Sequence, residues 1–224
     1  WNQLRALIGA LDVSVSLIDQ SPKFPDMVFT ANAGVVFENK VALSSFKHKQ
    51  RRGEKLFYNQ WFLDHGYETM EVPSGLSFEG CGDVVISKGL MIGGYGFRTD
   101  LKSLKYISNK LNLDLIYLKL VDPKFYHLDT CFCLLSENLA LYYPEAFSDY
   151  TIRKLRGIEL IPVTKSESEE FMCNSLVIGK NIIMPSESER LNKILSSRGF
   201  QIYTVDTSEF LKSGGSIQCM CLWL

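Results

Sequence analysis

The sequence predicts an α/β protein: a ring of five strand–strand–helix–strand units with pseudo-fivefold symmetry, lacking one N-terminal strand. Three observations predict it. The same order of patterns recurs four times, with two short apolar runs around a turn signal, a helical stripe and a returning apolar run. The first strands of these units begin near residues 34, 83, 131 and 174, and a fifth start lies near Ser216, a period somewhat under fifty residues. The two chain ends also complement one another. Residues 216–224 read as the first strand of a fifth unit and residues 1–18 as its helix and last strand, with one hairpin strand missing before Trp1. A ring joins those ends and removes the edge strands that an open sheet must protect. The competing reading is an open α/β sheet whose regularity is accidental.

Residues 1–10 have helical spacing and residues 13–18 alternate as a strand. Phe24-Pro-Asp-Met-Val-Phe-Thr-Ala-Asn32 then leads into a hairpin of 34–37 and 41–43 around Glu38-Asn-Lys40. Residues 51–65 form a helix with Leu56, Phe57, Trp61 and Phe62 on one face and Gly66 as its stop, and 68–72 return as a strand. The second unit has strands 83–87 and 90–94 around Lys88-Gly89, a helix over 100–111 with Leu101, Leu104, Ile107 and Leu111 as its stripe, and strand 113–120. The third has strands 131–135 and 139–143 around Ser136-Glu-Asn138, a helix near 148–155 and strand 159–163. The fourth has strands 175–178 and 182–184 around Gly179-Lys-Asn181, a helix over 187–198 opened by the capping box Ser186-x-x-Glu189, and strand 201–205. In the last twelve residues, Ser213-Gly-Gly-Ser-Ile-Gln-Cys-Met-Cys-Leu-Trp-Leu224, two glycines lead into an apolar strand, with Cys219 where loop becomes strand. Glycines there let the backbone approach a ligand closely, although a cysteine taken alone is more often inert core.

The chain of 224 residues reads as one domain, residues 1–224, truncated at its N-terminus, because Trp1-Asn-Gln-Leu-Arg-Ala-Leu already has the character of a helix interior. The 24 basic and 25 acidic residues are interspersed, so neither a nucleic-acid stripe nor a polybasic membrane patch is expected. No apolar run has bilayer-spanning length and no signal peptide is visible. Cys81, Cys131, Cys133, Cys173, Cys219 and Cys221 are too scattered for a disulfide scaffold, so free thiols in a reducing cytoplasm are expected. The two Cys-x-Cys pairs lack the surrounding spacing of a zinc loop, and no metal is expected. Closed α/β rings often associate, so a homo-oligomer is compatible with the chain, but no distinct interface patch is visible.

Polar residues cluster just before each unit's first strand. They are Asp26 and Asn32, then Glu79-Gly-Cys-Gly-Asp83, then His127-Leu-Asp-Thr130, then Asn174, then Gly214-Gly-Ser-Ile-Gln-Cys219. In a ring these equivalent positions converge on the axis. A Cys, a His and several carboxylates from different units then share one pocket.

At these residues the sequence resembles the guanidine-modifying superfamily of pentein-fold amidinotransferases and arginine hydrolases. The matching segments are Pro25-Asp-Met-Val-Phe-Thr-Ala-Asn-Ala33, Phe78-Glu-Gly-Cys-Gly-Asp83, Gly94-Tyr-Gly-Phe-Arg-Thr99, Phe125-Tyr-His-Leu-Asp-Thr-Cys-Phe-Cys133, and Ser208-Glu-Phe-Leu-Lys-Ser-Gly-Gly-Ser216 through Cys219. Five ordered motifs span nearly the whole chain. The resemblance implies a five-bladed α/β propeller of ββαβ units. It is strongest to the arginine dihydrolase branch, which carries Thr-Ala-Asn where arginine deiminases carry an aspartate. Members of that branch have a further N-terminal segment with a strand.

The resemblance also implies the chemistry. A guanidinium carbon is a poor electrophile because its charge is delocalised. Attack on it needs a strong nucleophile, a grip on the cation and a proton for the departing nitrogen. Cys219 would attack the carbon to give a covalent S-amidino intermediate. His127 would protonate the leaving ammonia and then deprotonate water. Glu79 would orient His127 and hold its charge. Asp129 would accept hydrogen bonds from the guanidinium, and Arg98 would receive the substrate's α-carboxylate. Asp26 is a further pocket position, or the start of a Pro-Asp turn. Asn32 would tolerate the carbonyl of a ureido product where an aspartate would repel it. The product would then be retained and attacked again, giving ornithine, carbon dioxide and two ammonia.

The expected partner is thus a small arginine-like guanidine, with no cofactor, because thiolate chemistry on a cationic carbon requires none. Two departures matter. Gly-Cys-Gly replaces the deiminase Gly-Gly, which puts Cys81 near the site, and Cys221 stands where a hydroxyl residue is common, sharing a strand face with Cys219. The alternatives are an arginine deiminase, an amidinotransferase, a methylarginine hydrolase, or a catalytically silent binding protein. Methylarginine hydrolases generally lack the aspartate matched by Asp129.

Overall fold

Four of the five expected units form as three-stranded sheets in the computed structural model, which describes residues 1–224. The first sheet is β1 (Gly34–Phe37), β2 (Lys40–Leu43) and β3 (Glu68–Glu71), and the second is β4 (Val84–Ser87), β5 (Leu90–Tyr95) and β6 (Asp114–Lys119). The third is β7 (Phe132–Ser136), β8 (Leu139–Tyr142) and β9 (Glu159–Pro162), and the fourth is β10 (Leu176–Ile178), β11 (Asn181–Met184) and β12 (Gln201–Thr204). In each sheet the first strand pairs antiparallel with the second, and the second pairs parallel with the third. Three of the four antiparallel pairs close through tight turns that use left-handed residues, such as Lys88 (φ 46°) and Gly89 (φ 78°), and the pair in the third sheet instead shifts register between Leu134 and Ser136.

A parallel pair needs a crossover, and helices supply it. After α1 (Asn2–Ala10) at the chain start, α2 (Glu54–Asp64), α3 (Leu101–Leu111) and α4 (Asp149–Ile152) cross over in the first three units. A short helix, α5 (Lys165–Glu169), precedes the fourth crossover, α6 (Glu189–Ser196), and α7 (Ser208–Leu211) follows it. Helix α3 buries the predicted Leu104, Ile107 and Leu111 against Val84 and Met91 of its own sheet. Each such side chain contributes about 1.5–3 kcal/mol by leaving water. The left-handed Asn112 (φ 52°) ends the helix.

The structure corrects the sequence reading at four places. Residues 13–18 and 216–224 are not strands. In every complete sheet the second strand pairs with both others, and neither of these two segments pairs with a strand. Without a ladder, Leu17 offers its carbonyl to Trp61 Nε1 at 3.1 Å instead. The fifth position of the ring is filled by apolar packing of Leu4, Ile8, Ile217, Cys219 and Met220 with Val205 of the fourth unit.

Second, α2 buries only part of its predicted face. Phe62 is buried and Trp61 packs beside it, but Leu56 is 74% exposed and Phe57 42% exposed, and Glu54 and Tyr58 turn inward in their place. The Glu54 carboxylate accepts two hydrogen bonds from the Arg51 side chain, at 2.9 and 2.8 Å, so the inward face of α2 carries a paired charge. Third, α6 is capped by Ser188, which accepts the Leu191 N–H at 3.1 Å, rather than by a box on Ser186. The capping box is at Thr164 and Glu167, opening α5, and the Glu167 carboxylate also accepts from Ser188 Oγ at 2.6 Å. Fourth, Cys219 lies in a single 3-10 turn, Gln218–Met220, rather than at a strand start.

The segments that enter the first strands meet and close a ring of hydrogen bonds. Asn32 Nδ2 of the first unit donates to the Glu79 carbonyl of the second at 3.2 Å. The Leu128 N–H of the third donates to Asp83 Oδ1 of the second at 3.1 Å. Asn174 Nδ2 of the fourth donates to the Asp129 carbonyl of the third at 3.0 Å, and the Cys219 N–H of the fifth donates to Asn174 Oδ1 at 3.2 Å. Thr30 Oγ1 returns to the first unit by donating to the Met220 carbonyl at 2.8 Å. Buried polar groups must find such partners, and here they find them between units.

Candidate active site

Single 3-10 turns deliver the polar side chains to the axis: Thr30–Ala33, Gly80–Gly82, Leu128–Thr130 and Gln218–Met220. The second of these turns can approach its neighbours only because it is flanked by glycines. A Cβ on Gly80, at φ +59°, would lie 2.7 Å from the Ala31 and Gly34 carbonyl oxygens, and one on Gly82 would lie 2.2 Å from Asn32 Nδ2.

His127 is 3% exposed, and its Nε2 is 2.9 Å from Glu79 Oε2. Glu79 is fully buried; its Oε2 also accepts from Arg98 Nη1 at 3.1 Å and its Oε1 from the Lys47 N–H at 3.1 Å. Burial alone would raise the Glu79 pKa. The hydrogen bond and charge of His127, with Arg98 and the Lys47 amide, outweigh burial and hold it down at about 2. Burial opposes charging of His127 too, but Asp83, Glu79 and Asp129 outweigh it, so its pKa is raised and the imidazolium is favoured.

Two further carboxylates face the same space. Asp83 Oδ2 lies 4.0 Å from His127 Nε2 and has no hydrogen-bond partner. Asp129 Oδ2 accepts from the Cys219 thiol at 3.2 Å, and Asp129 Oδ1 has no partner. Burial pushes Asp83 up to about 7 and Asp129 up to about 6. Cys219 is 3% exposed, and burial followed by the Asp129 charge pushes its thiol well above the usual range. Asn174 Nδ2 is 3.1 Å from Cys219 Sγ. The site therefore holds a protonated thiol and two unsatisfied acidic oxygens beside an ion-paired histidine. That arrangement suits a planar cation rich in N–H donors.

Cys219, His127, Glu79 and Asp129 thus come together as the sequence reading expects. Asn32 stands beside them, but its amide is engaged by the protein, with Oδ1 accepting from Arg51 Nη1 at 2.9 Å and Nδ2 donating to Glu79. Arg98 stacks over Tyr126, 4.4 Å from its ring, while it holds Glu79. Asp26 lies further out: its carboxylate is 47% exposed with Oδ2 4.0 Å from Arg51 Nε, and its backbone carbonyl accepts from Arg51 Nη2 at 3.1 Å. All six cysteines are free. Cys81 packs into the second unit's core with its thiol pushed up to about 12 by burial. Cys221 follows the 3-10 turn, so the shared strand face expected with Cys219 does not form. No three His, Cys, Asp or Glu side chains are grouped to hold a metal ion, and no helix is long and apolar enough to cross a membrane. The sequence reading passed over Arg51, and it placed Asn174 and Asp83 on the axis without a role. The spacing of Arg51 and Glu54 was the available signal for a buried pair.

Comparison with known proteins places this ring of mixed sheets and its site among the pentein guanidino-modifying hydrolases. Within that class the chain belongs to the family described as N,N dimethylarginine dimethylhydrolase, eukaryotic, which matches residues 1–224. It is 39% identical over 228 residues to the bifunctional arginine dihydrolase/ornithine cyclodeaminase ArgZ of Synechocystis, covering 99% of this chain and 32% of ArgZ. The chain spans about a third of the length of the bifunctional cyanobacterial relatives it matches. A crystal structure of the ArgZ N-terminal domain covalently bonded to a reaction intermediate superposes with a TM-score of 0.95 at 38% identity, covering 99% of this chain and 84% of that one. The N(G),N(G)-dimethylarginine dimethylaminohydrolase of Mycobacterium tuberculosis is 35% identical over 224 residues, covering 99% of this chain and 74% of that protein.

Proposed function

We propose that the chain is a cysteine-dependent hydrolase of arginine that works through a covalent S-amidino intermediate and releases ornithine, carbon dioxide and two ammonia. The observation that carries this reading is the pair of buried, unpartnered oxygens, Asp129 Oδ1 and Asp83 Oδ2, beside the Cys219 thiol. Leaving such acceptors unmade costs roughly 1–3 kcal/mol each, and a guanidinium recovers that cost by donating to both. Arg98, partly exposed beside Glu79, has further N–H groups for the α-carboxylate.

The thiol proton passes to Asp129, which already accepts its hydrogen bond, and the sulfur attacks the guanidinium carbon to form a C–S bond. His127 gives its proton to the departing nitrogen, the C–N bond breaks and ammonia leaves. His127 then takes a proton from water, whose oxygen attacks the same carbon; the C–S bond breaks and the leaving sulfur takes back its proton from Asp129. Glu79 keeps the imidazole oriented through both transfers. Retention of the ureido product permits a second round. Arginine and two waters then become ornithine, carbon dioxide and two ammonia.

A second reading, hydrolysis of methylated arginines, is favoured by the description of the family. An asymmetrically dimethylated guanidinium loses the N–H groups of one nitrogen and keeps three on the other two, so it offers Asp129 Oδ1 and Asp83 Oδ2 fewer donors than arginine does. Product balance decides. The chain is incubated with L-arginine or with asymmetric dimethylarginine, and ammonia, dimethylamine, citrulline and ornithine are quantified together. Ornithine with two ammonia supports the proposal. Citrulline with one ammonia makes the chain a deiminase, and dimethylamine makes it a methylarginine hydrolase. No turnover of either substrate shifts weight to an amine-accepting transferase or a silent binder.

A further inference from the structure

Asn174 is fully buried and contacts the candidate nucleophile twice, yet neither the motifs nor the steps above give it a role. Its orientation is settled by two backbone groups of fixed polarity. The Cys219 N–H can only donate, so the atom facing it is Oδ1; the Asp129 carbonyl can only accept, so the atom facing it is Nδ2. The amide nitrogen has two hydrogens. One goes to the Asp129 carbonyl and the other points at Cys219 Sγ, 3.1 Å away. One side chain therefore fixes the nucleophile's backbone and offers its sulfur a donor.

We infer that Asn174 is a positioning residue that holds the sulfur of Cys219 as it ionises, by donating an N–H hydrogen bond to the developing thiolate. This rests on the reading of Cys219 as nucleophile. When the S–H proton moves to Asp129 Oδ2, the electron pair left on sulfur lies on a buried atom. The titratable groups facing it are Asp129, which opposes its charge, and the Tyr126 phenol, with His127 and Asp83 beyond Asp129. Asn174 and the Ser216 backbone are the groups that favour the ionised sulfur. A donor of this kind strengthens as charge develops, which is the property a positioning group needs.

The test uses the whole chain and two variants. Asn174→Asp keeps the shape and the acceptor for the Cys219 N–H but removes the donor, and Asn174→Ala removes both. The pH dependence of iodoacetamide alkylation is followed at each cysteine by peptide mass spectrometry, beside kcat and KM on arginine. The expected result is that Cys219 alkylation near neutral pH falls about ten- to a hundredfold in both variants and its titration moves to higher pH. The buried Cys131, Cys133 and Cys173 should stay as protected as in the parent, and kcat should fall with KM little changed. An unchanged Cys219 titration overturns the inference. So does general exposure of the other buried thiols, because Asn174 would then be structural alone. Alkylation does not depend on turnover. A parent chain inactive on arginine whose Cys219 titration still shifts in the variants would sink the functional reading and leave the role of Asn174 standing.

Discussion

Replacing Glu79 with Gln tests whether the His127–Glu79 pair is ionised in the folded protein. The substitution is nearly isosteric. It leaves an acceptor for the Lys47 N–H but removes the charge that His127 and Arg98 share at 2.9 and 3.1 Å. The Glu79 carboxyl moves from an ordinary 4.5 down to about 2 in the folded chain. Each tenfold of proton affinity is worth about 1.4 kcal/mol, so the charge contributes on the order of 3 kcal/mol to stability at neutral pH. Because the folded value is depressed, that contribution is present above about 4.5 and is lost as pH falls towards about 2. The assay is urea unfolding of parent and Glu79→Gln across pH 7 to 3; guanidinium salts are avoided because they resemble the proposed substrate. The parent should be the more stable at pH 7 by a few kcal/mol, with the two curves converging on acidification. Parallel curves would refute an ionised Glu79 and with it the assignment of His127 as a charged general acid.

Two other substitutions extend the reasoning. Asn32→Asp should fold, because Arg51 Nη1 already lies 2.9 Å from the oxygen that would become charged, and it should release one ammonia and citrulline per arginine; two ammonia would end the account of Asn32. Asp83→Asn should gain stability relative to the parent as pH rises from about 4 to about 7 and then level off, because burial raises the folded Asp83 pKa to about 7 and the parent loses that contribution over the same range. A difference between the two proteins that does not vary with pH would show that Asp83 is not held protonated.

The four hairpins were legible because their signals are local. Alternating apolar residues and left-handed turn positions such as Lys88-Gly89 determine their own pairing. The strand over 13–18 was not, because alternation confers the capacity to pair but not a partner. The face of α2 was misread for a different reason. Leu56 and Phe57 have the hydrophobicity of a core, but apolar spacing carries no sign that Arg51 and Glu54 pair with one another in the interior, where the pairing is what makes burying their charges tolerable. Most of the site was visible as a set because equivalent positions in a repeat converge. The role of Asn174 was hidden, since an amide before a strand carries no sign of which neighbouring unit it will hold.

The five hydrogen bonds that close the ring each join a different pair of neighbouring units, and three of them involve Asn32, Asp83 or Cys219 themselves. Chain order is therefore a matter of indifference to the chemistry. A circularly permuted chain, opened at an exposed hairpin turn and joined through its present ends, would present the same axis. So would two separately expressed fragments that reassemble. Catalysis in such hybrids would score assembly itself, because the thiol stands on the fifth unit, the imidazole and Asp129 on the third and Asp83 on the second, so no single unit carries the set.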